Sequence, residues 1–238
     1  MKLKIWLPIF LLISSAAFAS DDAAKSLFDK GMKLDKMSDS LTEKAEKGCY
    51  WGKKKERSNS CLQDYVKKFN AEFGGGAFEL VSELNIIRYT GVDFKKLMKE
   101  FPKSSYAGEA DLYIVSRDLV GNPDVVLPKV ENFLDRHPSG EAYRKGLLLS
   151  ARLNQDIWWI HKKWSWVLYN GKVSEEELAT KAEVYREKAL KLFGEVSQKF
   201  GRSAEGKAAR AESALLKTGK DDGKIYGIIN ESLTGTPR

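Results

Sequence analysis

Two cysteines constrain this chain more than any other feature. Cys49 and Cys61 are the only cysteines in 238 residues, in the stretch CYWGKKKERSNSC. A redox pair, a metal site and a covalent staple would each impose a different local fold, and the compartment separates them. The chain opens MKLKIWLPIFLLISSAAFAS. Lys2 and Lys4 form a basic start, Ile5 to Ile13 is an apolar run with one proline, and Ala17-Phe18-Ala19 closes a run of small residues. That is the pattern of a secretory signal peptide, with cleavage predicted after Ala19. The apolar run is shorter than the roughly 20 residues a membrane-spanning helix requires, and no cysteine at the cleavage point offers a lipid attachment. The expectation is a soluble protein without a transmembrane anchor, periplasmic or secreted. A lone cysteine pair in an oxidising compartment is a structural disulfide. Neither Cys-x-x-Cys nor Cys-x-x-Cys-His is present, and His137 and His161 lack ligand spacing to the cysteines. The pair is therefore predicted to be a staple, worth on the order of 3 kcal/mol in the chain-entropy picture.

Hydrophobic periodicity reads as helix after helix. From Asp22 to about Lys47, Leu27, Gly31, Leu34, Leu41 and Ala45 recur at spacings of three and four, and Gly48 ends the run. A second short helix runs from Cys61 to Phe73, so the disulfide ties a helical hairpin that has too little core of its own. Gly74-Gly75-Gly76 reads as a hinge or boundary. Beyond it, helices are expected over 77–89, 93–101 and 104–120. Pro123 opens another at its first turn, which stops near His137-Pro138. A long helix is expected from about Glu141 to Tyr169. Ser174 and Glu177 form a capping box for the next, whose stripe is Leu178, Ala182, Tyr185, Ala189, Leu192, Val196 and Phe200. A last helix starts near Ser203, and the tail after Gly219 is either a short extended segment or without order. The fold class is all-α, with helices in antiparallel pairs. The expected organisation is a signal peptide over 1–19, the stapled hairpin over 20–76, a helical repeat domain over 77–219 and a tail over 220–238.

Three corners repeat: EFPKSSYAGEA (100–110), RHPSGEAYRKG (136–146) and KFGRSAEGKAA (199–209). In each, Pro or Gly stops one helix and Ser104, Ser139 or Ser203 caps the next. Ala107 and Ala110, or Ala204 and Ala208, let neighbouring helices approach. The first two prolines, Pro102 and Pro138, stand 36 residues apart, close to one tetratricopeptide unit. This corner resembles that of periplasmic tetratricopeptide-type proteins, in the style of the barrel-assembly lipoprotein and the constriction coordinator. The resemblance covers about residues 77–218 and implies a short helical solenoid that binds proteins. The chain departs from the pattern in having no lipobox cysteine, in a second corner one residue short, and in a long insertion that breaks the period.

The remaining unusual segment is QDIWWIHKKWSWVLYNGK (155–172). Leu149, Leu153, Ile157, Ile160 and Trp164 fall on one helical stripe, and Trp159 and Trp166 fall on another, beside Lys163. The segment is either a helix packed between two neighbours or one that presents Trp159 and Trp166 along a binding groove. His161 reads as a satisfied or exposed helical histidine, and Asp156 as the surface ion-pair partner of Arg152, four residues away. Lys53, Lys54 and Lys55, with Trp51 before them, read as a solvated loop or a basic contact for an acidic protein, an anionic lipid or a cell-wall polymer. The formal net charge is +7, with 40 basic and 33 acidic residues. These charges are interspersed, unlike a nucleic-acid footprint. No nucleophile elbow, phosphate loop or metal-binding helix motif is present, so no catalytic residue, metal site or cofactor is expected. The leading reading is a non-catalytic exported adaptor that binds another cell-envelope protein. The alternative is a glycan or small-ligand module using the Trp-rich helix.

Overall fold

The computed structural model describes residues 9–50, 59–82, 84–163 and 172–229, with side chains from residue 21 onward. Lys53, Lys54, Lys55, Trp51, Trp164 and Trp166 lie outside the described residues, as do residues 1–8 of the expected signal segment. The described residues form eight helices and two small two-stranded sheets. They divide into two compact units, 1–111 and 112–238. The boundary therefore falls inside a helix rather than at the glycine triplet.

The first unit is built on α1, Ile9–Tyr50. Its inward line is Ala24, Gly31, Leu34, Ser38, Leu41, Ala45 and Cys49, the three-and-four spacing of a single helical face. Gly48 does not end the helix, which runs on to Tyr50; the glycine instead makes room for the Tyr65 ring, which an added Cβ would strike. α2 (Asn59–Phe73) buries Leu62, Val66 and Phe69, and Cys49 is bonded to Cys61 as predicted.

The helix expected over 77–89 is instead a β-hairpin, β1 (Phe78–Val81) and β2 (Ile86–Tyr89), paired antiparallel with Phe78 opposite Tyr89 and Val81 opposite Ile86. Asn85 takes a left-handed turn conformation at φ 54°, which asparagine tolerates. Phe78, Ile87 and Tyr89 face inward while Glu79 and Arg88 pair outside at 2.7 Å, the period-two alternation of a half-buried sheet. Two strands alone are marginal in water, and here helix side chains complete them. Thr42 Oγ1 accepts from Ile87 N (2.8 Å) and Ser38 Oγ accepts from Tyr89 N (3.1 Å). On the other edge, Asn70 accepts from Phe78 N and donates to Phe78 O, at 2.7 and 2.9 Å. The glycine triplet is thus bridged by Asn70 and does not uncouple the hairpin from α2. α3 (Val92–Glu100) then packs on α1, with Phe94 over Gly31.

α4 (Ser105–Arg117) begins in the first unit and buries Ala107 and Ala110, as the corner pattern expects. The second unit continues with β3 (Val120–Gly121), α5 (Pro123–Arg136), α6 (Gly140–Lys163), α7 (Glu175–Lys199) and α8 (Ala204–Lys217), and closes with β4 (Ile228–Ile229). Pro123 stands at the start of α5 behind the Asn122 cap. Ser174 Oγ accepts from Glu177 N and Ser203 Oγ from Gly206 N, at 3.1 and 3.0 Å. On α8 the inward small residues are Gly206 and Ala209, while Ala204 is exposed and Ala208 half-buried. The backbone dictates this: a Cβ at 206 would overlap the Phe200 carbonyl. The tail is extended at Ile228–Ile229, which pairs parallel with β3.

Candidate functional site

α6 positions the residues of interest. It lies against α5 and β4 on one side and against α7 and α8 on another. Leu153 and Ile157 join Leu119, Val126, Val130 and Ile229 in one apolar cluster. Leu147, Leu148, Ala151 and Trp158 join Ala182, Ala189, Phe193, Val196, Ala209 and Leu216 in another. A helix covered on several faces has little surface left for a groove. Trp158 is 1% exposed, and Trp159 is half-buried against the second cluster. Of the predicted contact residues on the described part of this helix, Lys163 is exposed and Trp159 half-buried. His161 is buried, its Nδ1 2.8 Å from the Ile157 carbonyl and its ring stacked on Tyr185, which is the satisfied-histidine outcome.

Asp156 is not a surface ion-pair partner of Arg152. It is 3% exposed, and its Oδ2 accepts from two successive backbone amides of the tail, Tyr226 N at 2.6 Å and Gly227 N at 2.7 Å. Arg152 instead forms a fork on Glu212 of α8, with Nε donating to Oε2 at 2.9 Å and Nη2 to Oε1 at 2.5 Å. The same guanidinium covers the Tyr226 ring, 4.3 Å from its centroid. Tyr226 donates its hydroxyl proton to Asp222 Oδ2 at 2.7 Å, and Gln155 Nε2 approaches Asp222 Oδ1 at 3.4 Å. A side chain at 227 would meet Leu153 Cδ2 at 2.8 Å and the Leu119 carbonyl at 2.9 Å, so only glycine allows the main chain this close.

The electrostatics follow from burial. Removal from water pushes the Asp156 carboxyl up to about 7, and the nearby Asp222 charge adds to this, against the pull of the two amides and Arg152. Burial and the bond to Asp222 likewise raise the Tyr226 hydroxyl. Asn154 Oδ1 and Gln155 Oε1 are buried without a donor among the described residues. No cluster of three or more His, Cys, Asp or Glu among the described residues is arranged to hold a metal ion.

The assembly is a main-chain clamp: a buried acid for two successive amides, a cation over an aromatic ring, a glycine seat and a short parallel strand. It holds an extended peptide segment, here the chain's own tail. The sequence displays none of this, because backbone amides carry no residue signature and Asp156 lies 70 residues before Tyr226. The repeated glycines and Asp221-Asp222 were the available signal of an ordered turn in the tail. No protein-family model, curated protein or solved structure matches the chain.

Proposed function

We propose that this chain is a non-catalytic, exported helical adaptor that binds another protein of the cell envelope. The Cys49–Cys61 disulfide supports an oxidising compartment. The reading of helices α4 to α8 as an irregular tetratricopeptide-like solenoid belongs to the same proposal, supported by the Ser104 and Ser203 corners and by consecutive packing of α6, α7 and α8.

The observation that carries the binding role is the tip of the β1–β2 hairpin. Leu84 is 66% exposed and Ile86 38%. Two large apolar side chains on a turn whose own edges are already satisfied by Ser38, Thr42 and Asn70 contribute little to folding and suit a protein contact. Photo-crosslinking from position 84 in envelope extract is the test. A discrete adduct is expected from position 84 and not from exposed Lys191 on α7, and Leu84→Glu should abolish partner capture while leaving the melting temperature unchanged. Equal labelling from both positions would remove the hairpin tip as the contact. A glycan-binding role would rest on Trp159 and Trp166. Titration with cell-wall fragments tests it, since tryptophan fluorescence shifts only if a glycan is bound.

A further inference from the structure

Among the described residues, Asp156 is a buried carboxyl with no ion-pair partner of its own. On its own helix, Arg152 is engaged by both Glu212 oxygens, and His161 is turned to Ile157 and Tyr185. α8 presents Glu212, already neutralised by Arg152. The tail presents a second acid, Asp222, and the Tyr226 hydroxyl, which is bonded to it. From the β3 side the neighbours named at Gly227 are the Leu119 side chain and carbonyl, which carry no charge. A negative charge at Asp156 is therefore enclosed, uncompensated by a direct cation, and close to another negative charge.

What Asp156 holds is slender. Beyond Asp156, the described tail joins the unit through a two-residue parallel pair, the buried Gly227 and Ile229, the Tyr226 contact with Arg152 and the long Gln155–Asp222 approach. It is preceded by Gly219 and Gly223, both at φ 73°, left-handed turn positions that glycine adopts without strain and that separate α8 from the extended segment. Ile225 and Ile228 point outward, 53% and 56% exposed.

We propose that residues 224–229 are a pH-sensitive strap, latched to α6 by protonated Asp156 and loosened as that carboxyl gives its proton to solvent. This holds whether or not the chain is an adaptor. Lifting the strap uncovers Leu119, Leu153 and Ile157, an apolar strip that neutral pH would make available and acid pH would close.

The direction follows from linkage. With the strap docked, burial holds the carboxyl near 7; lifting the strap lets water back to it and carries the Asp222 charge away, which moves it down toward the ordinary 3.8. The docked state thus binds the extra proton between those values. Docking is strongest below the lower value, weakens as pH rises through the window and is weakest above about 7. Well inside the window each pH unit is worth about tenfold, and the fall from pH 5 to pH 7 is about fiftyfold, because at pH 7 the docked carboxyl is already half ionised.

The test is amide hydrogen exchange of the full chain at pH 5, 6, 7 and 8, read as protection factors at Tyr226 and Gly227 so that the intrinsic pH dependence divides out. The expected result is a fall of about fiftyfold from pH 5 to pH 7 at these two amides and none at Val196 in α7. Asp156→Asn keeps a neutral acceptor and should make their protection independent of pH. A flat wild-type profile, or the same fall in Asp156→Asn, overturns the proposal. Should Asp156→Asn fail to hold the strap at any pH, Asp222→Asn decides: removing that charge should move the release midpoint to lower pH, and an unmoved midpoint overturns the proposal.

Discussion

Trp158 stands between α6 and α7 with 1% of its surface exposed. Trp158→Ala should lower unfolding free energy by roughly 3–5 kcal/mol in chemical denaturation, as truncation of a large core side chain does. Trp159→Ala should cost clearly less, since Trp159 only borders the same cluster. Gly31 poses the opposite case. A Cβ there lies 2.5 Å from Phe94 Cε1, and Phe94 is fully buried between Phe28 and Tyr89, at 5.6 and 5.8 Å between ring centroids. Gly31→Ala gains up to about 1 kcal/mol of helix propensity but overpacks a site whose ring has nowhere to go, at about 1–3 kcal/mol. The net expected outcome is a lower melting temperature. At this scale the sequence was informative wherever a role depends on neighbours one turn away: Gly31 and Leu34 lie on the inward face of α1 as the spacing predicts. It misled at Asp156, whose apparent partner Arg152 is held by Glu212, 60 residues further on.

The β1–β2 hairpin shows how an element is decided by what surrounds it. The segment from Ala77 to Tyr89 carries apolar residues that satisfy both a helical and an alternating pattern, and its flanking glycines are compatible with either. The β-branched Val81, Ile86 and Ile87 were the available strand signal. Three side chains on other elements settle the choice, because Ser38, Thr42 and Asn70 satisfy the outward amides that a lone two-stranded ribbon leaves open. Asn70→Ala should therefore cost about 1–3 kcal/mol, the penalty for leaving buried main-chain groups unpaired. Hydrogen exchange at Phe78 should quicken well beyond that of the α2 amides. A matching loss of protection throughout α2 would show instead that Asn70 supports its own helix more than the strand.

For the whole molecule, the disulfide should act on the first unit. Because β2 and α3 pack on α1, Cys49→Ser with Cys61→Ser should destabilise the hairpin and α3 together with the two stapled helices, by about 3 kcal/mol. Exchange protection in α6 and α7, in the other compact unit, should stay near the wild-type level; its collapse would mean that the two units unfold as one. The sequence by itself determined what depends on local chemistry: helices α2, α3 and α5 to within a few residues, the Pro123 start of α5, the caps at Ser174 and Ser203, the stripe of α7 and the Cys49–Cys61 bond. Capping, periodicity and a single possible disulfide pairing each operate within one element or one loop. Tertiary structure alone decided that residues 78–81 and 86–89 are strands, that α6 is covered on several faces, and that Asp156 clasps the tail. The strands and the clasp hang on main-chain donors that meet side chains 45 to 71 residues away, and a backbone N–H has the same chemistry at every non-proline residue, so nothing in the order of side chains announces which acid will meet it.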